Sequence, residues 1–187
     1  MSGSASRPGL WGSTRHVCDD WNVLPIVAAG MPNYRRPGSM IDDALSIYKR
    51  RAAGDLLAPD GKISVIIDRK DPLAAQGALT VNSVAETIAA VDKIKAAGLW
   101  GAKFYTSMNP AWIKPGAAEA HRLGLYVHGH VPAGMRPIDA VRAGFDEVYR
   151  LIFIHTPHMP QSVVTQPKPQ ARTGGRAQYR NDRNTNN

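Results

Sequence analysis

Three strand-like runs, "AKFY" from Ala102, "LYVHGH" from Leu125 and "DEVYRLIFI" from Asp146, follow one another at intervals of about 23 residues, each reached through a helix-like segment. Strands separated by helices cannot pair as hairpins. They require right-handed crossovers, which lay them parallel in one sheet. The same grammar extends upstream. "SMIDDALSIYKRRAAG" predicts a helix with Ser39 as its N-cap, Ile41, Ala44, Leu45 and Tyr48 on one face, and Gly54 as its stop. "KISVII", Lys62 to Ile67, is β-branched and predicts a strand. "SVAETIAAVDKIKAAG" opens with a capping box, Ser83 and Glu86, sets Val84, Ile88, Val91 and Ile94 on one face, and ends at Gly98. "NPAWIKPGAAEAHRLG" predicts a helix opened by Asn109 and Pro110 and kinked or delayed at Pro115, and "PIDAVRAG" a short helix from Pro137.

Both a doubly wound sheet and part of a (β/α)8 barrel satisfy this order. No Gly-rich phosphate loop follows any strand, which removes the usual nucleotide reading of an open sheet. Polar residues stand at strand ends, in "KFYTS" and "HGHVP", where barrel enzymes place their chemistry. The expected fold is therefore α/β, a partial (β/α)8 TIM barrel over residues 39–154, preceded by an irregular segment, 1–38, and followed by a basic low-complexity tail, 155–187.

Composition sets the remaining bounds. A chain of 187 residues with 43% hydrophobic composition can bury one core. The single cysteine, Cys18, allows no internal disulfide and fits a reducing compartment. No apolar run approaches the ~20 residues that span a bilayer, so a cytoplasmic protein without a membrane partner is expected. About half of the net charge of +8 lies in the tail, where Lys168, Arg172, Arg176, Arg180 and Arg183 face only Asp182. Rich in Pro, Gln, Asn and Gly, that tail is expected to be disordered. Binding of an anionic surface or nucleic acid would work through it alone, and nucleic acid is not the expected partner.

Alternation along "LYVHGH" sends Leu125 and Val127 to one face and Tyr126, His128 and His130 to the other. Imidazole suits a divalent transition metal, yet two histidines make half a site, and hydrogen-bonded histidines closing a strand fit the pattern equally. Lys103 shares the parity of Tyr105. Pointing into a barrel it would lose solvation, and a neutral amine can take up carbon dioxide as a carbamate ligand; snorkelling, or pairing with Glu147, is the alternative.

The block "GLWGAKFYTSMNPAWIKPGAAEAHRLGLYVHGHVPAGMRPIDAVRAGFDEV", with "RRAAGDLLAPDGKISVI" and "AAQGALTVNSVAETIAAVDKI" before it, resembles the middle of the amidohydrolase superfamily, in its imidazolonepropionase-like and Xaa-Pro dipeptidase-like branch. The resemblance covers roughly 42–148. It implies barrel strands two to six, a divalent metal, zinc first, and hydrolysis of carbon–nitrogen bonds in a small-molecule substrate by metal-activated water. It places Lys103 as the carboxylated strand-four lysine and His130, in "GHVP", as the strand-five metal histidine. Tyr105, Ser107, Asn109, His128 and Arg150 fall where a pocket would be lined, although loop capping also explains Ser107 and Asn109. The strand-one His-x-His pair has no counterpart, and His16 stands alone. Arg150 replaces the strand-six histidine and cannot ligate a metal. The strand-eight aspartate has no strand to sit on. These departures lead us to expect a truncated or rearranged segment, completed by a second copy or a partner chain if active, and otherwise a remnant or small-molecule binding module.

Overall fold

Every strand pairing among the described residues of the computed structural model is parallel. The structure describes residues 10–12, 20–72 and 74–149. In chain order the elements are β1 (Trp11–Gly12), α1 (Asp20–Ala28), β2 (Asn33–Ser39), α2 (Ile41–Ala53), β3 (Asp60–Arg69), β4 (Leu79–Val81), α3 (Val84–Ala96), β5 (Gly101–Phe104), α4 (Pro110–Arg122), β6 (Tyr126–Gly129), α5 (Pro137–Arg142) and β7 (Glu147–Val148). The sheet path is β1-β2-β3-β5-β6-β7, with β4 paired to the last residues of β3. Among the described residues the path never reverses direction and has no switch point of the doubly wound kind.

Six strands in one direction form a curled half-barrel, and side chains show how far it curls. From β2 to β7 there are four strand spacings, about 19 Å if the sheet were flat. Yet the Arg35 guanidinium on β2 donates to both carboxylate oxygens of Glu147 on β7, at 2.5 and 3.0 Å. Only a strongly curved sheet brings those two strands within reach across its concave face. Part of the curvature is written in "RRPGS": the β2–β3 register shifts between Arg36 and Ser39, where Pro37 has no N–H to give a ladder. Gly38 then turns toward the interior, where a Cβ would stand 2.9 Å from Ile66 Cδ1.

The convex face carries the core. Ile63, Val65 and Ile67 of β3, Phe104 of β5 and Val127 of β6 are fully buried together with Val91 and Ile94 of α3 and Ile113, Ala117 and Ala120 of α4. A second cluster joins Val23 and Ile26 of α1, Tyr34 of β2, Ile47 of α2 and Leu56. Close approach of α4 requires Gly116, because a Cβ there would lie 2.7 Å from Thr87 Cγ2 and 3.0 Å from the Phe104 ring.

Several sequence expectations are corrected. The segment before Ser39 is not irregular throughout: α1 and β2 lie within it. Met40, not Ser39, is the N-cap of α2, and the Ser39 hydroxyl donates instead to the Met40 carbonyl. On α2 the buried residues are Ala44 and Ile47, with Ile47 taking the place assigned to Leu45. On α3 they are Thr87, Ala90, Val91 and Ile94, while Val84 is exposed. Small side chains hold that stripe because α4 packs directly against Thr87. Ser83 caps α3 by accepting from the Glu86 N–H, but Glu86 reaches back to the Asn82 N–H, one residue earlier than a capping box places it. Pro115 does not delay α4, which begins at Pro110 and runs through it. The tail and the run after Tyr149 lie outside the described residues. Among the described residues no helix is long and apolar enough to cross a membrane.

Candidate functional site

The concave face is built by alternation. Ile66 of β3, Lys103 of β5, His128 of β6 and Glu147 of β7 are successive register partners, so they form one tier across four strands. Two residues further along come Asp68, Tyr105, His130 and Tyr149, at the C-terminal rim, where the ladder continues through Tyr105 N–H to Ile67 O, His130 N–H to Phe104 O and Tyr149 N–H to Gly129 O. The period of two that separated Leu125 and Val127 from the histidines is the observed one: the apolar pair lies in the core.

Lys103 and His130 are both buried, 4% and 6% exposed. The Lys103 ammonium stands 5.4 Å from the Tyr105 ring centre and 5.6 Å from that of Tyr149. Glu147 accepts two bonds from the Arg35 guanidinium and one from the Tyr126 hydroxyl, at 3.3 Å. The His130 ring packs 4.3 Å from Tyr105, and its Nδ1 lies 3.2 Å from Thr106 Oγ1.

His128 sits deeper, fully buried. Its Nε2 is 2.6 Å from Ser64 Oγ, and its Nδ1 has no hydrogen-bond partner among the described residues. Burial first, then the charges of Lys103, Arg35 and His130, hold its pKa down to about 3, so the ring is neutral at physiological pH. Below it, Trp100 stacks on Tyr126 with centroids 4.4 Å apart. Tyr149 lies 4.7 Å from the His128 ring and 5.4 Å below the Arg35 guanidinium carbon. Burial pushes the Tyr149 phenol up to about 12, with Arg35 opposing the rise, so it too stays protonated.

Gly129 explains why the two histidines are separated by glycine. Its φ is +150°, and a Cβ would fall 2.0 Å from the Phe104 carbonyl oxygen. Any side chain between His128 and His130 would drive β6 off β5.

Ser107 and Asn109 take other roles. Asn109 caps α4, accepting from the Ala111 N–H at 3.0 Å. Ser107 donates at 2.7 Å to Asp68, a fully buried carboxylate that also accepts from the Arg69 and Ala75 N–H groups at 2.9 and 2.8 Å. Asp68 was missed from sequence. Its signal is an acid closing a β-branched run, "SVIID", at the strand end where barrel chemistry sits. Arg150, His16 and Asp182 lie outside the described residues. Among those described, no three or more His, Cys, Asp or Glu gather in a group able to hold a metal.

No family model and no curated protein matches the sequence. Solved structures do. Bottromycin amidohydrolase aligns with a TM-score of 0.68 and 20% identity over 84% of this chain and 36% of its own. A Xaa-Pro dipeptidase with methionine bound in its active site gives 0.63 and 17% over 83% and 49%. The A. niger ochratoxinase gives 0.60 and 16% over 83% and 48%. The chain has an amidohydrolase-like fold and spans between a third and a half of the length of these proteins.

Proposed function

We propose that the chain is a metal-dependent hydrolase of amidohydrolase type, acting on a carbon–nitrogen bond of a small molecule. In this reading the half-barrel is part of a (β/α)8 barrel, and the site is completed by groups outside the described residues, in this chain, a second copy or a partner. The observation that carries the reading is the burial of Lys103 and His130 on neighbouring strands of one concave face in an amidohydrolase-like fold.

The donors fit a divalent ion such as zinc in kind, while the described residues supply fewer than the three or four a closed site needs. Thr106 at the His130 Nδ1 is the type of partner that orients an imidazole whose other nitrogen ligates. Lys103 would ligate as a carbamate: its neutral amine adds to carbon dioxide, forming a C–N bond and releasing one proton, and the product carries an anionic oxygen. Bound there, a divalent ion supplies a hydrolytic nucleophile from water near neutral pH and polarises the scissile carbonyl. Asp68 and Ser107 fix the β5–α4 loop beside that position and keep the rim rigid.

Metal content per chain, measured by inductively coupled plasma mass spectrometry after purification without chelator, tests the reading. Near-stoichiometric metal in the wild type, lost in Lys103→Ala and in His130→Ala, supports it and makes an amide-substrate screen worthwhile. A metal-free wild type overturns it. A small-molecule binding module without catalysis is the second reading, favoured by two buried polar atoms, His128 Nδ1 and Tyr149 Oη, that lack hydrogen-bond partners among the described residues.

A further inference from the structure

The Tyr105 ring touches both Lys103 and His130. Its centre lies 5.4 Å from the Lys103 ammonium and 4.3 Å from the centre of the His130 ring, whose plane is tilted 35° to its own. The backbone that carries it is held on both sides. The Tyr105 N–H donates to the Ile67 carbonyl at 3.1 Å, and the Tyr105 carbonyl accepts from the Met108 N–H at 3.2 Å, closing the turn that follows β5. Met108 anchors that turn in the core, 2% exposed. His130 hangs from the same segment: its N–H donates to the Phe104 carbonyl at 3.1 Å, and the Ala133 N–H donates to the Thr106 carbonyl at 2.9 Å. With both main chains fixed, side-chain rotation is what remains to be settled. Lys103 has a flexible four-carbon stem to order, and a rigid aromatic ring packed against it restricts those rotamers at little entropic cost of its own. His128 has its ring contacts elsewhere, with Tyr149 at 4.7 Å, Tyr126 at 5.9 Å and Trp100 at 6.0 Å.

We propose that Tyr105 is a positioning residue: through the body of its ring, and not through its hydroxyl, it sets the rotamers of Lys103 and His130 on the concave face. The inference rests on the metal reading only for what those two side chains then hold. A hydroxyl acting on a ligand is lost in Tyr105→Phe, whereas a ring acting on its neighbours survives that change. Phenylalanine at this position therefore separates the two roles, and leucine removes the ring itself.

Nuclear magnetic resonance of the histidine rings in the full, metal-free chain, assigned with His128→Gln and His130→Gln, reads the geometry without any metal. An aromatic ring centred 4.3 Å away shifts the carbon-bound protons of His130 by its ring current. In Tyr105→Leu those resonances should lose that shift while those of His128 stay in place, and Tyr105→Phe should match the wild type. Zinc affinity of the same three proteins, by isothermal titration calorimetry, should fall about tenfold or more in Tyr105→Leu, the usual loss when a residue supporting a metal ligand is removed, and stay within about twofold in Tyr105→Phe. If the leucine variant does not fold, Tyr105→Met, closer in length, takes its place. Unmoved His130 resonances in the ringless variant overturn the proposal. So do undiminished zinc affinity in that variant, an equal loss in Tyr105→Phe, or His128 resonances that move together with those of His130, which would mean that the whole face has repacked. A wild type that takes up no zinc refutes the metal reading instead, and the ring-current comparison then decides the role of Tyr105 by itself.

Discussion

Acid should destabilise this protein through one residue. The His128 pKa is held at about 3 in the folded chain against 6.5 for the free side chain, with burial as the largest cause and the neighbouring charges of Lys103, Arg35 and His130 adding to it. The unfolded chain therefore binds a proton that the native state refuses between those two values. Stability governed by this group is fully present above pH 6.5 and is lost as pH falls toward 3, with a slope of about 1.4 kcal/mol per pH unit for one proton. Across the 3.5 units between 6.5 and about 3 the loss is on the order of 5 kcal/mol, comparable to the whole stability of many domains. Urea unfolding followed by circular dichroism at half-unit steps from pH 7.5 to 4 measures it, with His128→Gln alongside. The variant should be less stable at pH 7 and should show a pH slope shallower by one proton between 6 and 4. Lys103→Met removes the second cause and should move the His128 midpoint upward without restoring it to 6.5. Parallel slopes in wild type and His128→Gln, or an imidazole resonance titrating near 6.5 in the folded protein, would refute the reasoning.

Other substitutions test the geometry. Gly129→Ala puts a Cβ 2.0 Å from the Phe104 carbonyl oxygen and should cost on the order of 4 kcal/mol or fail to fold, read by chemical denaturation; a loss below about 1 kcal/mol would show that β6 can shift freely. A double-mutant cycle on Arg35→Gln and Glu147→Gln should give a coupling of about 1 kcal/mol that shrinks with salt, since the pair is partly exposed at 21% and 30%. Zero coupling at low salt would argue that the arc does not close as described. Ser107→Ala removes one of three donors from the buried Asp68 and should cost about 1.5–3 kcal/mol, while Asn109→Ala loses a helix cap worth about 1 kcal/mol. Equal costs for the two would contradict their different burial.

Local periodicity carried the architecture. The strand at "KISVII", the helices ending at Gly54 and Gly98, and the inward parity of Lys103, His128 and His130 all follow from short-range patterns that the structure repeats. Where local pattern and observed burial differ, packing decided. Thr87 and Ala90 replaced Val84 and Ile88 on the buried face of α3 because α4 presses against that helix at Gly116. The "NYRRPGS" strand is not legible locally, because a proline, a glycine and two arginines resemble a loop; its parallel pairing with β3 and its place in a curved sheet make it a strand.

The sequence alone determined that strands alternate with helices, that they pair in parallel, and that a lysine and two histidines share one side of the sheet, because each of these depends on residues a few positions apart. Tertiary structure decided which groups meet there. That Arg35 reaches Glu147 112 residues away, that Ser107 serves Asp68 rather than a pocket, and that His128 is fully buried and neutral beside Tyr149 depend on how far the sheet curls. Curvature sums small twists and one β2 irregularity over six strands, and no single stretch of sequence contains that sum.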